Sequence, residues 1–119
     1  IGFLMTLIIY HNPRCSKSRE VLAILDENGI DYEVYKYMEN IITVEVIYDL
    51  LEKLGYQSAQ ELMRKKESIY KSLNLKLETN EKYLVKAMVE NPKLIERPIA
   101  IKGDQAVVCR PAKNVFSIL

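Results

Sequence analysis

The sequence predicts an α/β fold in which a helical insertion separates a βαβ unit from a ββα unit on one mixed, four-stranded sheet. Three observations carry this. An apolar run, Leu7-Ile8-Ile9-Tyr10, is followed by an amphipathic run and then by an alternating segment at residues 31–37. Two short apolar runs near the C-terminus are separated by Lys102-Gly103-Asp104, a hairpin signal. Between these ends, at about residues 43–95, the apolar spacing is helical.

Residues 6–10 read as a buried first strand. The first helix is expected at about Ser16–Glu27, with Val21, Leu22 and Leu25 on one face and Ile24 beside them. Gly29, after Asn28, suits the residue that closes a helix in the left-handed conformation. Residues 31–37 alternate, with Tyr32, Val34 and Lys36 on one side, as in a strand. A short crossover helix between two strands implies parallel pairing and a right-handed connection. Thr43 can cap a helix that ends near Leu54, with Gly55 as its stop. Ser58-Ala59-Gln60-Glu61 fits a capping box, so a helix carrying Leu62, Met63 and Arg64 is expected there. Residues 66–72 form a weaker helical turn. Asn80 caps Glu81–Glu90, and Asn91-Pro92 ends that helix, because proline disfavours helical geometry in its predecessor. Residues 98–101 and 105–109 form the hairpin. Arg110-Pro111 then opens a last helix to Leu119, with proline in the first turn. This order is the thioredoxin-type arrangement. Met38, Met63 and Met88 read as core filler.

The 119 residues fit one domain, residues 1–119, and a 49% hydrophobic composition suffices for an ordinary core. A net charge of +1 gives no support for a nucleic-acid partner. The only cysteines are Cys15 and Cys109, and their spacing fits neither a disulfide framework nor, with a single histidine, a structural zinc site. Two free thiols fit a reducing cytosol, and no targeting signal or membrane span is visible, so the cytoplasm is expected; a monomer is expected as well. Met5 reads as a start, which would set Ile1 to Leu4 outside the native chain.

The chemistry concentrates in His11-Asn12-Pro13-Arg14-Cys15-Ser16-Lys17-Ser18-Arg19, between the first strand and the first helix. A cysteine at a first helical turn meets unpaired backbone N–H groups and the positive end of the helix dipole. Its thiol ionises more readily there, and the thiolate is the reactive form. His11, Arg14, Lys17 and Arg19 add basic side chains that draw an anion to the same place. The competing reading is a buried, inert cysteine in a polar loop. His11 either helps to ionise the thiol or fixes the loop. Asn12 and Pro13 shape the turn, and Ser18 is expected to turn its hydroxyl to the thiolate.

Cys15-Ser16-Lys17-Ser18 lacks a second cysteine, so exchange within the motif is impossible. Cys109 is either a packed strand residue or a resolving thiol. Arg64, Arg97 and Arg110 are candidates for an anion site, since the planar guanidinium suits tetrahedral oxyanions. Each is alternatively a solvated surface charge. Arg97 and Arg110 flank the hairpin and come close if its strands pair closely.

Four motifs in order, His11-Asn12-Pro13-x-Cys15-x-x-Ser18-Arg19, Leu62-Met63-Arg64-Lys65, Glu96-Arg97-Pro98-Ile99 and Cys109-Arg110-Pro111, make the chain resemble the arsenate reductase family that uses glutathione and glutaredoxin. The resemblance implies a thioredoxin-like core, Cys15 as nucleophile assisted by His11, and oxyanion binding by Arg64, Arg97 and Arg110. It implies a cis bond before Pro98, glutathione as co-substrate with no tightly bound cofactor and no metal, and glutaredoxin as partner. Well-known members carry Gly-Thr where this chain has Ser16-Lys17, and the Ser-Lys version is similar to the YfgD-type branch. Two other functions share the fold: a glutaredoxin-like transferase that uses one thiol, and an Spx-type regulator that binds RNA polymerase.

Overall fold

The computed structural model describes residues 5–119; Ile1 to Leu4, read above as preceding the native start, lie outside the described residues. The chain divides into two compact units, one holding the residues up to Glu39 together with Arg97–Leu119, the other Asn40–Glu96.

The first unit contains β1 (Leu7–Tyr10), α1 (Ser16–Glu27), β2 (Glu33–Tyr35), β3 (Ile99–Lys102), β4 (Gln105–Val108) and a terminal 3-10 helix, Ala112–Ile118. The sheet order is β2-β1-β3-β4. β1 runs parallel to β2, with Tyr10 opposite Tyr35, and antiparallel to β3, with Ile9 opposite Ala100. β3 and β4 form the expected hairpin: Lys102 pairs with Gln105, and Gly103 takes the positive φ, 62°, that the tight turn requires. β2 is shorter than the alternating pattern indicated, and Val34 is exposed, because an edge strand has a neighbour on one side only.

α1 has the predicted bounds. Ser18, Val21 and Leu25 are its buried residues, and Gly29 follows it at φ 64°. Val21 and Leu25 join Leu7, Ile9, Ala100, Cys109, Ala112, Val115 and Ile118 in one apolar cluster. The terminal helix departs from expectation. Pro111 caps it in extended conformation rather than occupying its first turn, and the Arg110–Pro111 bond is cis. Met38 is exposed rather than core, while Met63 and Met88 are buried.

In the second unit α2 (Val44–Leu54) is bounded as its sequence signals require: Thr43 Oγ1 accepts from the Val46 amide, and Gly55 stops it at φ 75°. α3 is Ser68–Ser72, and α4 (Glu81–Glu90) is capped by Asn80. The capping box at Ser58 forms, but it opens only the short 3-10 turn Ala59–Leu62. Met63 and Arg64 are therefore not helical. Met63 bridges Ile95, the Arg64 amide donates to Leu94 O, and the Glu96 amide donates to Leu62 O. A pairing with residues some thirty positions away wins over local helix propensity.

Candidate active site

β1 delivers the chain into a loop whose conformation is fixed by its own polar groups. The Cys15 amide donates to Asn12 O at 2.9 Å, and the Arg14 amide donates to Asn12 Oδ1 at 3.1 Å. Arg19 Nη1 donates to Pro13 O at 2.9 Å. The Asn12 amide approaches Ser18 Oγ at 3.4 Å. The loop leaves Cys15 as the residue that caps α1, with extended φ and ψ of −96° and 123°. A Ser or Asp in this position turns an oxygen to the amides two and three residues on. Cys15 offers sulfur instead. Neither amide makes a hydrogen bond of full geometry to the neutral thiol; what they supply is a preference for the thiolate.

Burial pushes the Cys15 thiol up, but the Ser18 amide, a hydrogen bond from the Arg97 side chain, the Lys17 amide and the Arg97 charge outweigh it, and the pKa falls from 9.0 to about 7. Ser18 thus acts on the sulfur through its backbone, while its buried hydroxyl accepts within the loop; the expected hydroxyl contact is replaced by an amide one. The Lys17 side chain points elsewhere and lies 3.7 Å from Glu20.

Arg97 and Arg110 come together because the hairpin ends pair: the Cys109 amide donates to Pro98 O at 2.9 Å, and Arg110 Nε donates to Arg97 O at 2.6 Å. The Arg97–Pro98 bond is cis. Arg110 Nη2 lies 3.7 Å from Cys15 Sγ. At that length it adds little to the acidity of the thiol, which the helix amides and Arg97 set, but it places a second guanidinium at the sulfur.

His11 is buried, and its pKa is lowered by that burial and by the charges of Lys36 and Arg19, against an opposing contact with the Ser18 backbone. The imidazole is therefore neutral at pH 7, and it is not among the groups that shift Cys15. The alternating pattern places Lys36 on one side of the second strand and gives it no part in the site. Cys109 is fully buried in the apolar cluster, and burial pushes its thiol up to about 12. That environment makes it a packing residue rather than a resolving thiol. Arg64 belongs to the second unit, where its guanidinium lies 3.7 Å from both Glu67 and Glu96. Among the described residues no cluster of His, Cys, Asp and Glu is arranged to hold a metal ion, and no helix is long and apolar enough to cross a membrane.

Nucleophile, loop and both hairpin arginines all lie within residues 10–118, the span matched by the model of the ArsC family. The chain belongs to the ArsC family. It is 51% identical to the Uncharacterized protein YfgD of Escherichia coli K12 over 93% of this chain and 94% of that one. It is 45% identical to an arsenate reductase of Haemophilus influenzae over 97% of this chain and 100% of that one. Among solved structures, the arsenate reductase of Vibrio cholerae superposes with a TM-score of 0.93 at 46% identity, covering 98% of this chain and 100% of that one. The fold is thioredoxin-like, as the element order predicts.

Proposed function

We propose that this chain reduces arsenate to arsenite through Cys15, with glutathione and glutaredoxin as reductants. The observation that carries the reading is an acidified thiol at a helix start with two guanidinium groups, Arg97 and Arg110, set against it. Relatives of nearly full coverage named arsenate reductase supply the substrate.

Arginine forks and helix amides neutralise and orient a tetrahedral oxyanion. The Cys15 thiolate attacks arsenic, forming an S–As bond while one arsenate oxygen takes up protons and leaves as water. The glutathione thiol displaces a second oxygen as water, giving Cys15–As–glutathione. A glutaredoxin thiolate then attacks the glutathione sulfur. The S–As electron pair passes to arsenic, which becomes As(III), and a glutaredoxin–glutathione disulfide forms. Water cleaves the remaining Cys15–As bond and releases arsenite with the free thiol. Neutral His11 acts in this scheme as a hydrogen-bonding group near the loop. Arg64 is the third arginine that the family pattern assigns to the oxyanion. These reductants operate in a reducing cytosol, where the chain is proposed to work as a monomer.

Arsenate binding is tested by protection of Cys15. Arsenate should slow alkylation of Cys15 by iodoacetamide, and Arg97→Ala or Arg110→Ala should abolish the protection. Alkylation that arsenate leaves unchanged in the wild-type chain would refute the proposed site.

A further inference from the structure

A second feature at the carboxyl ends of the parallel strands is not used by the oxyanion chemistry. Tyr10 pairs with Tyr35, and the His11 amide donates to Tyr35 O at 2.9 Å, so the segments leaving β1 and β2 emerge side by side. Between these segments a crevice opens at the carboxyl ends of the two strands. Here the crevice is a cavity of about 230 Å³, walled by Asn12, Pro13 and Arg14 on one side and by Lys36, Met38 and Glu39 on the other. Its walls offer two cations, one carboxylate and one exposed thioether. The first wall is held rigid by the loop hydrogen bonds to Asn12 and Pro13. The charge of Lys36 is felt at His11.

Resting on the arsenate-reductase reading, we infer that this cleft docks the thiol co-substrate, a tripeptide with two carboxylates and one ammonium. Arg14 and Lys36 take the carboxylates and Glu39 takes the ammonium. The size and the reach both fit. The cavity is smaller than the roughly 300–1,000 Å³ that enclose a whole drug-sized ligand, so it cradles part of the tripeptide and leaves the thiol outside. Neighbouring Cα atoms lie about 3.8 Å apart, and an extended tripeptide spans about 10 Å. Residues 12–14 of the first wall lead directly into Cys15 at the start of α1, so a tripeptide seated there lies beside the nucleophile. A solitary dicarboxylate would leave Glu39 facing negative charge, so the charge pattern selects for a zwitterion.

The probe is S-methylglutathione, whose capped sulfur cannot react, added to the ¹⁵N-labelled full chain. The expected shifts centre on the amides of Asn12, Arg14, Lys36, Met38 and Glu39. Arg14→Glu and Lys36→Glu should each weaken binding about fivefold, the size of one exposed ion pair. N-acetylation of the probe should weaken binding to the wild-type chain and make no difference to Glu39→Gln. Alkylation of Cys15 by uncharged iodoacetamide should stay within about twofold in the charge variants, which shows the loop intact. Shifts elsewhere, binding indifferent to both reversals, or succinate binding as tightly as the tripeptide would overturn the inference. Probe binding in the cleft without arsenate turnover would sink the arsenate reading and leave this one standing. Turnover with binding indifferent to the reversals would do the opposite.

Discussion

Replacing Arg97 by Ala isolates what makes Cys15 acidic. Arg97 supplies two of the four influences that lower the thiol from 9.0 to about 7, a hydrogen bond and a charge. At a pKa of about 7 roughly half of the thiol is ionised at pH 7, against about 1% at 9.0. A cation at contact distance is worth about 1–3 pKa units. Arg97 is partly exposed, so the lower end applies, and the midpoint should move to about pH 8. The thiolate fraction at pH 7 then falls about fivefold. A more basic thiolate is also a better nucleophile, by about threefold per pKa unit. The two effects nearly cancel, and the rate at pH 7 should fall only about twofold. The decisive readout is therefore the full pH profile of iodoacetamide alkylation: a midpoint about one pH unit higher and a plateau about threefold higher. Cys109 stays silent because it is buried and its own pKa is pushed up to about 12. A midpoint that remains near pH 7 in the variant, or one already near 9 in the wild-type chain, would refute this electrostatic reasoning.

Proton NMR of the single histidine should show His11 titrating below 6.5, and Lys36→Ala should move that midpoint up. Because its pKa is depressed on folding, the stability His11 contributes is present above pH 6.5 and is lost as pH falls through the folded value; urea unfolding between pH 7 and 5 measures this. Cys109 has the opposite sign: its pKa is raised on folding, so its contribution is complete below about pH 9 and is lost as pH rises towards 12. Cys109→Ala should cost about 1 kcal/mol at neutral pH and narrow its deficit above pH 9 in denaturation series. Glu81 accepts from Ser58 Oγ and from the Ala59 amide, both at 2.8 Å, tying the 3-10 turn to α4. Glu81→Ala should therefore lower unfolding free energy by about 1–2 kcal/mol in urea titration.

What was legible in the sequence follows from the range of the interactions involved. The ends of α1, α2 and α4 could be read closely because Thr43, Gly55, Asn80 and Gly29 act within a turn of the ends they fix. The hairpin was legible because Gly103 serves its own two-residue turn. The helix expected to carry Met63 and Arg64 was not, since a capping box marks a start and says nothing of length. A bridge to Ile95 ends it. Cys15 was legible from its place after a strand and before a helix. The contact of Arg110 with Cys15 joins residues 95 positions apart, and the motif likeness pointed to it where periodicity could not. Ser18 was assigned the right neighbour through the wrong group, because residue type reveals hydroxyls while only geometry reveals which amides face a sulfur. Lys36 was legible as a residue of the alternating strand but not as a charge acting on His11, because that relation arises from the pairing of β1 with β2.

Reduction of arsenate through Cys15 is tested most directly by NADPH oxidation in a coupled reaction containing arsenate, glutathione, glutaredoxin and glutathione reductase, comparing the wild-type chain with Cys15→Ser. The expected result is oxidation that needs arsenate, glutathione and glutaredoxin together and that disappears in Cys15→Ser. Oxidation independent of arsenate, or retained in Cys15→Ser, would contradict the mechanism proposed for this chain.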